Sequence, residues 1–441
     1  MKPPPERQDA SPADQATVRR LNLALVLRAV LAAGTTSRSA LAETTGLRKN
    51  TVSSLVGELV SRGLLREGPV LRGAIGRPTR VIEADRGTVC FVGLEINLGY
   101  LAAVVLDIAG RPVTRRRIGW DAATLGPVTT LARAADLVAA LLDAAAEEGR
   151  LISRLHVALP GLVDTGRGVL AHAPNLHWVD IDVVGVLAGH LGLDTRHIGI
   201  DNDANLAALA EWAVGPAAGT DDLLFVTGET GIGGGVIAGG QLLRGASGYF
   251  GEIGHMAVTD VGTRCGCGRL GCWETEIGLQ ALVRAMVGPG DPLVDPAVPL
   301  DTRLEEIRRR AESGQPAVLA ALDTVGRHLG RGSAALVNIF NPSVVVFGGY
   351  IAALADLLAP AVALELAARV VQPEGPCAVR WSVHGFEAAA LGGAHAGIEL
   401  VKADPTLVPV HLPVQPGARE DSISPELPNS TEELPTRKAI A

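Results

Sequence analysis

"GEIGHMAVTDVGTRCGCGRLGCWE", Gly251 to Glu274, holds three of the chain's five cysteines, one of its ten histidines, and carboxylates near both ends. His255, Cys265, Cys267 and Cys272 follow the spacing H-x9-C-x-C-x4-C. Thiolates and an imidazole suit Zn²⁺, and four such ligands fill a tetrahedron without room for a catalytic water. Gly266, Gly268 and Gly271 allow a short loop to bend until three sulfurs converge. The competing reading is a glycine-rich loop with reduced, unmetalled thiols. Cys90 falls in an expected strand and Cys377 beside one, so both read as core or incidental residues.

Around this loop the texture is α/β. "VCFVGLEI" and "YLAAVVLD" alternate about turn residues as a hairpin, and "RLHVALPG", "HIGIDND", "DLLFVTG" and "SVVVFGG" are short strands followed by loop and helix signals. Ala/Leu-rich helices are expected near 127–148, 203–214, 276–287, 315–340 and 386–401. The strand-to-glycine-turn pattern recurs in two halves, which predicts two α/β lobes with a cleft between them.

Upstream, a helix is expected over Ala16–Leu31 with Val18, Leu21, Leu25, Val26 and Val30 as its apolar stripe. Thr36 or Ser37 caps a second helix, and Gly46 supplies a tight turn. A third helix starts near Lys49 and Asn50, buries Val52, Leu55, Val56 and Leu59, and ends at Gly63. Two short β runs, 67–71 and 79–82, flank "AIGRP". Three short helices and a hairpin describe a winged helix-turn-helix over about 15–85. Residues 1–14 and 402–441, polar or Pro/Ser/Glu-rich without periodicity, are expected to be disordered tails.

The whole-chain numbers agree with this division. At 441 residues two or three domains are the default, and 47% hydrophobic with 20% charged residues indicates a soluble globular chain. The net charge of −8 is uneven: through Asp85 there are 13 Lys/Arg against 8 Asp/Glu (+5), and afterwards 26 against 39 (−13). A basic segment on an acidic body points to a polyanion partner for the first part only. The start lacks the apolar core of a signal peptide. The longest charge-free apolar run, Gly332–Ala355, is interrupted by Asn341-Pro342 and Gly348-Gly349, so no membrane association is expected and the chain reads as cytoplasmic.

"GEIGH" followed by "CGCGRLGCWE" resembles the signature of the ROK family, sugar kinases and sugar-responsive repressors on one fold. "IDNDANLAALAEW" (200–212) and, more weakly, "APNLHW" (173–178) match further family motifs, and the resemblance covers about residues 15–401. It implies a two-lobed, actin-like (ribonuclease H-like) α/β sugar kinase fold over 88–401, here behind the α+β winged helix-turn-helix, with the zinc loop at 251–274.

The resemblance also implies that Asn202, Asp203, Glu252, His255 and Glu274 converge on sugar hydroxyls. Carboxylates and an amide suit adjacent hydroxyls, each both donor and acceptor. His255 would hold zinc through one ring nitrogen and face the sugar with the other. The plainer alternatives are that Asn202 and Asp203 only open a helix and that Glu274 is a solvated charge. In family kinases the position of Asp203 is the general base; here it is read as vestigial.

The phosphate loops depart from the kinase pattern. "GLEINLG" has Leu98 where a glycine would let backbone approach phosphate, and "ETGIGGG" has Glu229 where another glycine would stand. A carboxylate there repels a triphosphate. "VVFGG" still resembles the adenosine-side motif.

"LRKNTVSSLVGELVSRGLL" resembles the recognition helix of ROK repressors, although Arg48 replaces the Ser often seen near its start. Arg48, Lys49, Asn50, Thr51, Ser53 and Ser54 would face the major groove, and Arg77 of "GRP" a narrow minor groove. The reading is therefore a transcriptional regulator, a repressor of sugar metabolism genes rather than an enzyme. Its expected partners are a palindromic double-stranded operator, a sugar or sugar-phosphate effector, structural Zn²⁺, and a second copy in a dimer or higher oligomer. The rival is an ATP-dependent sugar kinase with an appended DNA-binding domain. A ligand-free zinc scaffold leaves the carboxylates unexplained.

Overall fold

The computed structural model describes residues 14–71, 79–229, 231–295, 298–372 and 377–410. Asp14 caps helix α1 (Gln15–Ala33) by accepting the Thr17 N–H. Strand β1 (Thr35–Thr36) leads into α2 (Arg38–Thr45), which Ser37 caps and left-handed Gly46 closes. A short turn then enters α3 (Lys49–Ser61). Strands β2 (Leu65–Leu71) and β3 (Thr79–Ala84) form an antiparallel pair, and β1 adds to the free side of β3.

The stripe expected on α3 is buried as read. On α1 it is rotated: Leu23, Ala24, Val26, Leu27 and Val30 are buried, whereas Val18, Leu21 and Leu25 are exposed. Apolar residues occupy several faces of α1, so spacing alone does not choose the buried one. The neighbours choose it.

The first lobe begins with a meander of β4 (Val89–Ile96), β5 (Tyr100–Asp107) and β6 (Pro112–Gly119). Helix α4 (Ala122–Glu147) returns the chain to β7 (Leu151–Leu159), parallel to β4. A small side sheet follows, β8 (Leu162–Asp164), β9 (Val169–Ala173) and β10 (Trp178–Asp182). Helix α5 (Val183–Leu191) then precedes β11 (Ile198–Asn202), parallel to β7. The sheet order is β11-β7-β4-β5-β6.

Helix α6 (Asp203–Ala213) leads to the second lobe, where β12 (Leu223–Gly228), β13 (Ile232–Ala238) and β14 (Gln241–Leu242) form the next meander. After the cysteine loop come α7 (Glu274–Ile277), α8 (Leu279–Met286), α9 (Leu300–Glu312) and α10 (Pro316–Phe340). Strand β15 (Val344–Gly348), α11 (Gly349–Ala353), α12 (Ala355–Arg369), β16 (Ala378–Trp381) and α13 (Ala388–Ala403) complete it. The order β14-β13-β12-β15-β16 repeats that of the first lobe: a meander, then two parallel strands added beside its first strand. This is the recurrence read from the sequence.

Helix α13 crosses back onto the first lobe and packs against α6 and β4. Gly93 makes that approach possible, since a Cβ there would lie 1.7 Å from the Ala390 carbonyl oxygen. Among the described residues, only α4 has the length and composition of a membrane span. It is broken at Gly126 and buries Leu131, Ala134, Ala135 and Val138 against the first sheet. The single helix expected at 276–287 divides at Gly278, whose extended backbone separates α7 from α8.

Two expected boundaries differ. Residues 402–408, read as the start of a disordered tail, are structured: α13 continues to Ala403 and a 3-10 turn, Pro405–Leu407, brings Val408 into a fully buried position. The pattern-free composition hid one anchoring valine. Nor is the N-terminal unit separate from the lobe behind it. Leu23, Leu27 and Leu64 share one core with Val89, Phe91, Ile398, Val401 and Val408. The Arg62 guanidinium, at the end of α3, donates to the Val408 carbonyl at 2.5 Å and to Glu58 at 2.7 Å. The rest of both tails, 1–13 and 411–441, lies outside the described residues.

Candidate functional site

The loop from Gly251 to Glu274 is fastened at its base by β-type pairing. Trp273 N–H donates to Met256 O at 2.8 Å and Val258 N–H to Gly271 O at 2.9 Å. Gly271 is required there: its φ is +70°, and a Cβ would meet the Thr259 carbonyl at 1.7 Å. Buried Trp273 anchors the loop to α10 through an indole N–H to His328 O at 3.0 Å.

At its tip the loop brings together His255, Cys265, Cys267 and Cys272, with all four ligand atoms within 4.8 Å of one another. The Cys267 and Cys272 sulfurs are 3.6 Å apart, and His255 Nδ1 is 3.6 Å from the Cys265 sulfur. A sulfur pair at that distance is not a disulfide. A tetrahedron built on ordinary zinc bond lengths has edges of about 3.8 Å between sulfurs and about 3.6 Å from sulfur to nitrogen. The donor set and its spacing therefore fit one metal ion. His255 presents Nδ1 to the sulfurs, while Nε2 turns towards Glu252, 3.7 Å from its carboxylate.

The loop closes one wall of a cavity of about 400 Å³ between the lobes, lined by all five residues read as sugar contacts. Asn202 ends β11 and caps α6. Its Oδ1 accepts from the Ala204 and Asn205 N–H groups at 2.9 and 3.2 Å, and its amide donates to Gly161 O at 3.0 Å. The capping role weighed against ligand binding is thus present, and one amide hydrogen is left for a ligand. Asp203 opens α6. Burial, reinforced by the charge of Glu252, pushes its carboxyl up to about 7. Glu274 accepts from the Ile232 N–H at 3.0 Å and from the Cys265 thiol at 3.3 Å, which joins the Cys/His loop to the cavity wall.

His172, Asn175 and Arg269 also line the cavity and were not singled out from the sequence. Asn175 lies within the weak motif "APNLHW", so a signal for it existed. His172 is one strand residue among many, and Arg269 becomes visible only when the loop folds over the cleft.

The two drifted turns meet across the lobes. The Leu98 N–H is taken by Asn97 Oδ1 at 2.7 Å, and the Leu98 side chain lines the cleft. Asn97 donates to Glu229 of the second lobe at 2.7 Å and to Glu95 at 3.1 Å. Tyr100, missed in the sequence, donates to Glu95 at 2.6 Å. Burial, and then repulsion from Asp203, pushes Glu95 up to about 7. Burial, with repulsion from Glu95 and Asp203, also raises Glu229 well above the ordinary carboxyl range. Thr230, in the same turn, lies outside the described residues.

In the N-terminal unit, α3 presents Arg48, Lys49, Asn50, Ser53 and Ser54 to solvent, with Thr51 half-buried. Among the described residues none of these side chains makes a hydrogen bond, and Arg48 opens the helix without a side-chain cap. Arg77 lies outside the described residues.

Twin five-stranded sheets around a carboxylate-lined cleft, with a Cys/His loop on its wall, define a two-lobed protein of the sugar-kinase fold type. The chain belongs to the ROK family, whose model matches residues 91–398. A putative xylose repressor from Caldicellulosiruptor sp. is 30% identical over 78% of this chain and 86% of its own length. NagC, a DNA-binding transcriptional dual regulator from Escherichia coli K12, is 28% identical over 78% and 84%. The crystal structure of a ROK family transcriptional regulator, a homologue of the E. coli MLC protein, superposes with a TM-score of 0.72. It covers 88% of this chain and 98% of its own, at 24% identity.

Proposed function

We propose that this protein is a sugar-responsive transcriptional repressor: residues 15–85 act as a winged helix-turn-helix arm and 88–401 as a carbohydrate sensor. The observation that carries the choice of sensor over kinase is the Asn97–Glu229 hydrogen bond. It bridges the two turns that correspond to the kinase phosphate loops and puts a carboxyl group where a nucleotide's phosphates would need donors and positive charge. Phosphoryl transfer depends on holding and neutralising the donor's phosphates, and a base at Asp203 without a held donor gives no turnover. The named repressors among the relatives support the same choice.

In this reading Asn202, Asp203, Glu252, His255 and Glu274 take sugar hydroxyls. The metal is Zn²⁺ on His255, Cys265, Cys267 and Cys272. It supplies fixed positive charge that keeps the thiolates together and sets the His255 tautomer. Arg48, Lys49, Asn50, Thr51, Ser53 and Ser54 meet base edges and phosphates, with Arg77 in the minor groove. A dimer matches two half-sites of a palindrome. Sugar shifts DNA affinity to the extent that it binds the two arm arrangements differently.

The test is a thermal-shift screen of the full chain against neutral, amino and phosphorylated sugars, with Mg·ATP as a separate arm. Stabilisation by a sugar and none by Mg·ATP is expected. Stabilisation by Mg·ATP alone would contradict the reading.

A further inference from the structure

An ion pair between the lobes stands directly behind the residues read as sugar contacts. Asp201, the buried residue before Asn202 on β11, uses both of its carboxylate oxygens. Its Oδ2 accepts from Nε and Nη2 of Arg244 at 3.0 and 2.8 Å. Its Oδ1 accepts from the Asn202 N–H at 2.8 Å and the Asn205 amide at 3.0 Å. One carboxylate thus fastens the end of β11, the first turn of α6, and a residue that follows β14 of the second lobe.

The other end of this tie leads to Glu252. The Phe250 N–H donates to Arg244 O at 3.2 Å and closes 244–250 into a loop. Gly251 then presses on β13: its φ is +99°, and a Cβ would meet Gly234 O at 2.3 Å. Glu252 follows at once, near enough to Asp203 for its charge to raise that carboxyl. Arg244 therefore joins the two segments that carry Asp203 and Glu252, one from each lobe. Neither Arg244 nor Asp201 is among the residues lining the cavity.

Asp201 is buried and Arg244 half-exposed, so desolvation offsets much of their attraction and the pair adds only modestly to stability. What such a pair fixes well is register. The guanidinium strengthens this, because its rigid planar array of donors sets an orientation that an ammonium does not.

We propose that Arg244 and Asp201 are positioning residues that set the distance between the two halves of the ligand site, Asn202 and Asp203 on one side and Glu252 on the other. This rests on the carbohydrate-sensor reading above and adds the device that keeps both halves within reach of one sugar ring.

Titration calorimetry of the full chain with glucose, xylose and N-acetylglucosamine tests it, alongside amide hydrogen exchange of the sugar-free protein. A sugar that binds the unaltered protein should bind Arg244→Met at least fivefold more weakly, and Arg244→Lys by an intermediate factor. Asp201→Asn combined with Arg244→Met should bind no more weakly than the poorer single variant, because a tie already cut is not lost twice. Without sugar, exchange in Arg244→Met should rise at least threefold both at 202–205 and at 250–255. A loss of affinity below fivefold, or losses that add in the double variant, overturns the inference and leaves the sensor standing. So does faster exchange confined to one of the two segments. Should Arg244→Met not fold, Arg244→Lys at unchanged Tm must still lose at least twofold in affinity, and a smaller loss overturns the inference. If the unaltered protein binds none of the three sugars, the sensor reading fails for them and the exchange of the two segments alone decides whether the tie exists.

Discussion

Arg62→Ala tests how the arm is tied to the sensor. Arg62 ends α3, the helix whose first turn faces DNA in the proposed reading, and reaches the 3-10 turn Pro405–Leu407 and Val408. Its guanidinium donates to Val408 O at 2.5 Å, more weakly to Thr406 O at 3.4 Å, and to Glu58 at 2.7 and 3.2 Å. Glu58 keeps Arg19 as a second partner at 2.5 and 2.9 Å, so truncation does not strand that carboxylate. The loss is then mainly the charged bond to a partly buried carbonyl, about 2 kcal/mol. Every 1.4 kcal/mol is tenfold, so opening of the 404–410 segment should become roughly 30-fold more frequent. Amide hydrogen exchange of residues 404–410 and of the end of α3 reads this directly. DNA affinity should change little while the response to sugar weakens. Protection that falls less than threefold would refute the role of Arg62 as the tie between arm and lobe.

Purified protein should carry one Zn²⁺ per chain by elemental analysis, and Cys272→Ser should lose the metal and lower Tm; metal-free protein with unchanged Tm and ligand response would contradict this. Lys49→Ala, Asn50→Ala and Arg77→Ala should each weaken operator binding by about 1–3 kcal/mol, read by fluorescence anisotropy; indifference to all three would remove the arm as the DNA reader. Glu211, fully buried and held by the Ser382 hydroxyl, has its carboxyl pushed up to about 7, mainly by burial. Folded protein therefore retains a proton that unfolded chain releases near pH 4.5, and stability falls as pH rises between those values, by roughly 3 kcal/mol for this group. Glu211→Gln should flatten that slope in denaturant titrations between pH 5 and 8; an unchanged slope would contradict the assignment.

The legible parts of this molecule are those in which local chemistry decides position. The ligand set His255, Cys265, Cys267 and Cys272 was readable because few other structures require that spacing. The α3 stripe was readable because its polar and apolar faces are cleanly divided. The twin lobes were readable from strands that end in glycine turns. The face that α1 buries was not, because apolar residues surround that helix and its neighbours α2, α3 and α13 together decide among them. Val408 was hidden by a proline-rich context and is fixed by Arg62, 346 positions away. The cross-lobe contact between Asn97 and Glu229 spans 132 positions. The sequence exposed Glu229, and Leu98 next to Asn97, as departures from a phosphate-loop pattern, but only the fold brings Asn97 and Glu229 together. Tyr100 gave no signal beyond a strand's first residue.

The central claim is that sugar binding in the cleft controls DNA binding and is not followed by phosphoryl transfer. An operator selected from random duplexes, titrated by anisotropy with and without a stabilising sugar, addresses it, with ADP release measured in the same samples at millimolar Mg·ATP. The account predicts that sugar weakens operator binding at least tenfold, that Asp203→Asn binds DNA but no longer responds, and that ADP release stays at background. DNA affinity indifferent to the sugar, together with turnover of roughly 1 to 100 per second as in kinases, would contradict it.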